Sequence, residues 1–367
     1  MIYRTLGRTG LRVSQLGFGG MRFPMVGEGE AARCDRPKSF AMLEAALAGG
    51  VNYFDTATFY NNHDSQRLMG EFFKGRREGV VISTKNPCYS EDAGEWERNL
   101  ETSLELLQTD YIDIYNHHGI GWKSYTEIVE PRLSKLMIKA KEEGKIRHIC
   151  CSFHDSPEAL IKIINTGYPD VLTIQYNMLD RKLEEAIALA HEKNIGIVAM
   201  GPVAGGRLGV PNPVFAAMVP QVQRVPELAL RFVLANPGVT VALSGMSALE
   251  QIPENVAIAS DPVTLTAADR AAIDEQLERL KKMKDLYCSG CGYCKPCPQN
   301  VDIPAIFDLY NNGRVYGFWD NAKGWYKGHC EKKTDAAQCT ECGVCVTKCP
   351  QKIDIPSELK KVIEALK

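Results

Sequence analysis

Eight short apolar runs, each set off from the next by a stretch with helical periodicity, constrain this chain more than any other feature. They occupy residues 15–20, 51–55, 80–85, 111–118, 146–152, 171–176, 195–200 and 240–245. Each is apolar almost throughout, as a strand covered on both faces must be. Helical stretches such as 38–48, 97–107, 126–143, Pro157–Thr166 and 183–193 lie between them. Eight strands alternating with helices over roughly 250 residues is the arithmetic of a (β/α)8 barrel. A doubly wound sheet is the competitor, but its glycine fingerprint is missing. Gly17-Phe18-Gly19-Gly20-Met21-Arg22 does not fit the spacing.

The barrel is expected to end in a helix starting near Thr266. Asp269 stands three residues on as a capping-box partner, and Ile273, Leu277 and Leu280 give the helix one apolar face. The polar run Lys281-Lys282-Met283-Lys284 sets the expected boundary. The two domains are then residues 1–283 and residues 284–367, joined without a long linker.

The second module is metal chemistry. Cys288, Cys291, Cys294 and Cys297 form one run, and Cys339, Cys342, Cys345 and Cys349 another, each followed by proline. The second run has the bacterial-type spacing for a 4Fe–4S cubane, C-x2-C-x2-C-x3-C-P. Eight of the thirteen cysteines sit in these runs, and soft thiolates suit such clusters. Zinc is the rival metal, since C-x2-C pairs also build four-thiolate zinc sites. The stretch from Cys297 to Pro304 resembles that from Cys349 to Pro356, and each copy starts a helix. The tail is thus a small, α-rich, ferredoxin-like domain with two 4Fe–4S clusters. Between the runs lie Tyr310, Tyr316, Phe318, Trp319, Trp325 and Tyr326, expected to form its small core. Cys34, Cys88, Cys150 and Cys151 are expected to be packed small residues.

Composition is that of an ordinary globular protein: 45% apolar, 24% charged and a net charge of −2. No basic run argues for nucleic acid, and no apolar stretch argues for a signal peptide or a membrane span. Thiols outside a compact disulfide scaffold fit a reducing cytoplasm.

Four polar residues stand at or just beyond the C-terminal ends of successive expected strands: Asp55, Tyr60, Lys85 and His118. In barrel enzymes that face carries the chemistry. Each has an ordinary structural explanation by itself: a helix cap, a packed loop residue, a surface ion pair, a core histidine. Together they suit carbonyl reduction, in which the developing alkoxide needs a proton. A neighbouring ammonium is expected to lower the tyrosine pKa, and a drop of about three units corresponds to roughly 4 kcal/mol. Asp55 would hold Lys85, and His118 would orient the carbonyl oxygen.

On these residues the first 283 positions resemble the aldo-keto reductases. The stretch from Arg4 to Gly17 looks like the family's N-terminal signature. Asp55-Thr56-Ala57 with Tyr60, the strand end at Lys85 and the Asp113-Ile114-Tyr115-x-x-His118 strand match its tetrad. His118 has the family's offset from Asp113, so His117 should face elsewhere. The resemblance implies that Tyr60 is the general acid, tuned by Lys85 and Asp55, and that NAD or NADP binds without a Rossmann fold.

Its implied cofactor contacts are Gly20 and Met21 after the first strand, together with Asp55. Ser152 and Gln175 hold the carboxamide, and Met200 covers the ring. Gly201, Pro202, Val203, Gly205 and Arg207 lie along the pyrophosphate, and Gly245, Ser247, Gln251, Glu254 and Asn255 at the adenosine end. Phe153, Met200 and Ala248 depart from the family pattern. Ala248 replaces an arginine near the 2′-phosphate, which leaves NAD against NADP open.

The whole chain resembles a subgroup of aldo-keto reductases with a C-terminal dicluster domain. By the ferredoxin rule, Cys288, Cys291, Cys294 and Cys349 hold one cluster, and Cys339, Cys342, Cys345 and Cys297 the other. Cys330 is the alternative to Cys297, whose run has the shorter spacing. Three functions follow. One is an NAD(P)H-dependent reductase of a small carbonyl or alcohol substrate with a structural or regulatory tail. Another exchanges electrons with a ferredoxin or flavoprotein partner. The third is a nucleotide-binding redox sensor, which the intact tetrad argues against. Trp122, after His118, shapes the pocket mouth or merely packs its loop.

Overall fold

A computed structural model describes residues 1–87, 89–90, 92–222, 224–262, 265–282, 288 and 292–367. The eight apolar runs form one closed barrel: β1 (Leu16–Gly19), β2 (Tyr53–Asp55), β3 (Val81–Asn86), β4 (Ile112–Ile120), β5 (Ile146–Phe153), β6 (Val171–Gln175), β7 (Gly196–Met200) and β8 (Val241–Ser244). Each strand pairs in parallel with the next, and β8 closes on β1 with Ala242 opposite Leu16. This is the barrel that the alternation predicts.

The N-terminal signature has a structural use. Tyr3–Thr5 and Arg12–Ser14 form an antiparallel hairpin. Leu6 and Val13, both fully buried, pack on Tyr53, Val81, Ile114, Val171, Val198 and Val241 at the strand starts. Arg4 donates to the carbonyls of Val239 and Leu234 at 2.7 and 2.8 Å. The hairpin thereby plugs the end of the barrel opposite the strand C-termini.

The expected helix over 126–143 is a widened π turn, Tyr125–Leu133, running into an α-helix, Ser134–Glu142. Pro131 lies inside the π segment; proline cannot donate to a regular helical ladder, and the wider turn accommodates it.

The described residues fall into two compact units. One is Met1–Gly209 with Pro226–Leu265, and the other is Val210–Val225 with Thr266–Lys367. The expected boundary at 283/284 and its linker lie outside the described residues. The helix Ala267–Lys282 starts with the anticipated reciprocal cap: Asp269 N–H donates to Thr266 Oγ1 at 3.1 Å and Thr266 N–H to Asp269 Oδ2 at 2.9 Å.

The tail unit is helical, with Ile303–Tyr316, Trp319–Glu331 and Ile355–Leu366 as its main elements. The two duplicated segments open helices alike: Asp302 and Asp354 sit at the N-caps, with proline in the first turn. Ile303, Ile306, Phe307, Tyr310, Tyr326, Leu359 and Val362 build the core around Cys294 and Cys345. Of the aromatics expected there, Tyr310, Tyr326 and Trp319 join this core, Tyr316 and Phe318 pack on Phe215 instead, and Trp325 is 66% exposed. Within the same unit the segment from Val210 to Val225 packs on the tail. Asn212 donates to Tyr316 O at 2.6 Å, and Phe215 stacks on Phe318 with centroids 5.5 Å apart. Among the described residues no helix is long and apolar enough to cross a membrane.

Candidate active site

Strand pairing brings the sequence-predicted tetrad together. Gly19 of β1 lies opposite Asp55 of β2, Asp55 opposite Ser83 of β3, and Lys85 of β3 opposite Asn116 of β4. Asp55 and Lys85, 2% and 1% exposed, form an ion pair, and Lys85 Nζ also donates to Thr56 O at 2.8 Å. The ammonium then lies 4.8 Å from the centre of the Tyr60 ring. His118 closes the group, its ring centroid 6.0 Å from that of Tyr60 and nearly perpendicular to it. The register between β4 and β5 is irregular from His117 to Ile120. Such a bulge re-aims side chains. His117 is buried, with Nε2 2.9 Å from Tyr168 OH, while His118 meets Tyr60 and Phe59. Trp122 stacks on Tyr125 at 5.9 Å, so it packs its own loop.

The electrostatics differ in one respect from the sequence expectation. Burial raises the Tyr60 pKa more than the Lys85 charge lowers it, so the net direction is upward. Lys85 is itself held above its ordinary value, burial opposing this and the Asp55 charge prevailing. The pair therefore consists of a protonated phenol beside a fixed ammonium, a proton donor. Burial, with Lys85 and His154 assisting, depresses His118 to about 3, so it is neutral near pH 7.

The residues expected to hold a nicotinamide follow the same rim. Ser152 is 1% exposed, and its Oγ has no hydrogen-bond partner. Gln175 and Met200 stand opposite each other on β6 and β7. Gly201, at φ +64°, lies against the Gln175 amide, which a Cβ there would meet at 2.6 Å. An orphaned buried hydroxyl and, on the neighbouring strand, an amide held in a glycine cradle suit a carboxamide ligand. Phe153 is buried among core residues.

Along the loop after β7, Pro202 is buried, Val203 half-buried, and Gly205 and Gly206 are exposed with φ of +68° and +100°. Arg207 Nε donates back to Ala204 O at 3.0 Å. After β8, Gln251 Oε1 accepts from Ser247 N–H at 2.8 Å and from Ala248 N–H at 3.4 Å, tying the loop. Asn255 Nδ2 donates to Ser244 Oγ at 3.3 Å, and Glu254 lies on the same helix, Gln251–Ser260. Gly20 is enclosed by Met69, Ser65 and Asp55, whereas Met21 is 55% exposed.

Sequence reasoning missed three groups. Arg22 lies over Gly245, its Cγ 3.0 Å from where a Cβ would stand. Barrel closure, which sets the loops after β1 and β8 side by side, is the signal that points to it. Phe59 lies flat on His118, a contact that no spacing rule gives. Ser83 and Asn116 each stand two residues before a tetrad member, so they share its inward face.

In the tail unit, Cys345 lies within electrostatic reach of Cys339, Cys342 and Cys297. Cys288, Cys294 and Cys349 line one cavity with Ile303, Phe307 and Ile355. Each set joins cysteines of both runs, and thiols gathered from both runs suit a pair of cubanes. Cys330 is exposed, with Asp335, Lys367 and Glu331 as its charged neighbours. Cys34, Cys150 and Cys151 are buried; Cys291 and Cys88 lie outside the described residues. Among the described residues no three His, Cys, Asp or Glu side chains converge as ligands of one metal ion.

Comparison with known proteins agrees with the geometry. The aldo/keto reductase family model matches residues 15–210, and a 4Fe-4S dicluster domain model matches residues 287–353. The chain is 29% identical to L-galactose dehydrogenase of Arabidopsis thaliana, over 77% of this chain and 95% of that protein. It is 28% identical to the NADH-specific methylglyoxal reductase of Escherichia coli, over 76% and 98%. Among solved structures, the holo form of aldo-keto reductase AKR11C1 from Bacillus halodurans superposes with a TM-score of 0.66 at 29% identity, covering 75% of this chain and 96% of that one. A barrel whose family match spans more than half of the chain, followed by two cysteine runs with their own match, belongs to the aldo/keto reductase family and carries a C-terminal 4Fe-4S dicluster domain.

Proposed function

We propose that the barrel reduces an aldehyde or ketone with NADH or NADPH, and that Tyr60 is its proton donor. The observation that carries this reading is the Lys85 ammonium, fixed by Asp55 and set against the Tyr60 ring. A reduced nicotinamide, when bound, supplies the hydride. Ser152 and Gln175 would hold its carboxamide, and Met200 would cover its ring. Gly20, Met21, Gly201, Pro202, Val203, Gly205, Arg207, Gly245, Ser247, Glu254 and Asn255 would line the rest. Gln251 would act through the loop it ties.

Burial keeps Tyr60 protonated, so its hydroxyl is ready to hydrogen-bond the carbonyl oxygen. As that oxygen gains charge, Tyr60 gives up its proton. The Lys85 ammonium then balances the phenolate, and the product is the alcohol. Neutral His118 has one N–H to donate and fixes the oxygen's position. The names L-galactose dehydrogenase and methylglyoxal reductase, borne by two similar proteins, support carbonyl–alcohol chemistry.

In the tail, Cys288, Cys291, Cys294 and Cys349 would hold one cluster, and Cys339, Cys342, Cys345 and Cys297 the other. A second reading, electron exchange with a partner protein, is favoured by Cys342, which is exposed and would bring a cluster edge to the surface.

The test is anaerobic. Reconstituted protein is mixed with NADH or NADPH and a panel of aldehydes, with nicotinamide absorbance and cluster EPR followed together. Tyr60→Phe is expected to lower kcat by about 10²–10⁴-fold. Unchanged turnover in that variant would sink the reductase reading. Cluster reduction by nicotinamide that requires an added redox protein would favour the second.

A further inference from the structure

Barrel interiors are normally filled by branched aliphatic side chains. Here one inner layer is polar. Asn116 of β4 is fully buried. Its Nδ2 donates to Ser83 Oγ at 3.1 Å and to Thr84 O at 3.0 Å, and its Oδ1 accepts from Thr173 Oγ1 at 3.2 Å. Ser83 Oγ passes its own proton on to Asp55 Oδ2 at 2.8 Å. The other Asp55 oxygen takes Lys85. Cys150 Sγ of β5 ends the chain of contacts, 3.5 Å from Thr173 Oγ1. Thr173 and Asn116 belong to β6 and β4, alternate strands whose side chains meet only across the barrel interior. The carboxylate of Asp55 can only accept, so Ser83 donates to it and itself accepts from Asn116 Nδ2, while Asn116 Oδ1 accepts from Thr173. The carboxylate is thus turned so that its remaining oxygen faces the ammonium.

We propose that Ser83 and Asn116 are positioning residues for the reaction, holding Asp55 in the rotamer that keeps Lys85 against Tyr60. The inference rests on the reductase reading for its consequence, but its geometry is independent of substrate. Removing the Ser83 hydroxyl, or replacing Asn116 by an isosteric apolar residue, frees Asp55 to turn away. Lys85 then loses the charge that raises its pKa, and burial, which lowers it, prevails. The other groups facing the pair are Tyr53, Tyr60, Cys150, His118 and His154. None of them is a carboxylate that could replace Asp55.

The experiment is an NMR titration of protein labelled at lysine Cε and Nζ, with the Lys85 signal identified by its loss in Lys85→Met. In Ser83→Ala and Asn116→Leu the Lys85 pKa is expected to fall by about one unit. The alkaline limb of kcat is expected to move to lower pH with it, while KM for the carbonyl substrate changes little. Ser83→Thr, which keeps the hydroxyl, is expected to recover both. If Asn116→Leu fails to fold, Thr173→Val, equal in volume and lacking the donor, takes its place with the same expected direction. A Lys85 titration unchanged in the folded variants overturns the proposal. If no carbonyl substrate turns over in the wild-type protein, the reductase reading fails, and the titration still decides whether the network positions Asp55.

Discussion

The Phe59 ring lies parallel to the His118 imidazole, with 3° between the ring planes and centroids 4.7 Å apart, and is itself 46% exposed. It shields one face of the residue proposed to orient the substrate. Phe59→Ala removes an aromatic contact of about 0.5–1.5 kcal/mol and hydrates the imidazole. It is expected to lower kcat/KM by roughly 2–10-fold. The His118 pKa should rise from about 3 toward its ordinary value, read from imidazole proton shifts against pH. An unmoved titration would show that the stack does not shield His118.

Burial depresses His117 to about 3 as well. The unfolded chain takes up a proton on each of these histidines near pH 6.5, and the folded chain does not until about pH 3. Their neutral burial therefore stabilises the fold fully above pH 6.5, and the stabilisation is lost as pH falls from there toward 3. Between pH 6.5 and 5, unfolding free energy is expected to drop by up to about 1.4 kcal/mol per pH unit for each. Urea denaturation of His117→Asn should show that slope reduced by about one proton; an identical slope would refute the assignment.

The cysteine geometry predicts which thiols matter to which cluster. Cys297→Ser is expected to remove one cluster and about half of the bound iron. Cys330→Ser should leave iron content and EPR signals as they are. Cys349→Ser should remove the other cluster. Iron analysis with EPR after anaerobic reconstitution decides; loss of iron in Cys330→Ser would reverse the ligand set.

The aliphatic stem of Arg22 packs against Gly245, in the loop expected at the adenosine end. Arg22→Ala is expected to raise the dissociation constant of the nicotinamide cofactor by about 10-fold, the value of one charge-assisted hydrogen bond, with kcat unchanged. Fluorescence titration with NADH and NADPH measures it, and a larger loss for NADPH would assign Arg22 to the 2′-phosphate.

The barrel was legible because parallel strands buried on both faces read as unbroken apolar runs. The tetrad was legible because three of its members end those runs and Tyr60 follows five residues after one of them. Helices Ser65–Phe73 and Gln251–Ser260 were harder to read. The first follows the polar run from Asn61 to Asp64, and the second carries Pro253 in its first turn, where proline is tolerated but reads as a break. Ser83 and Asn116 looked like ordinary strand residues, since nothing in one dimension says that the inward side chains of β4 and β6, on either side of β5, meet inside a closed barrel. The pKa of Tyr60 was misjudged for a related reason. Proximity to Lys85 could be inferred from strand ends, but the competing cost of burial depends on how much protein surrounds the phenol.

The loop after β7 has a practical consequence for anyone who would dissect this protein. A chain cut at residue 283 would keep Asn212 and Phe215 but discard Tyr316 and Phe318, baring an aromatic surface that is covered in the intact molecule. A truncation series would confound lost iron with lost folding. Serine scanning of the thiols, with the polypeptide left whole, is the cleaner dissection.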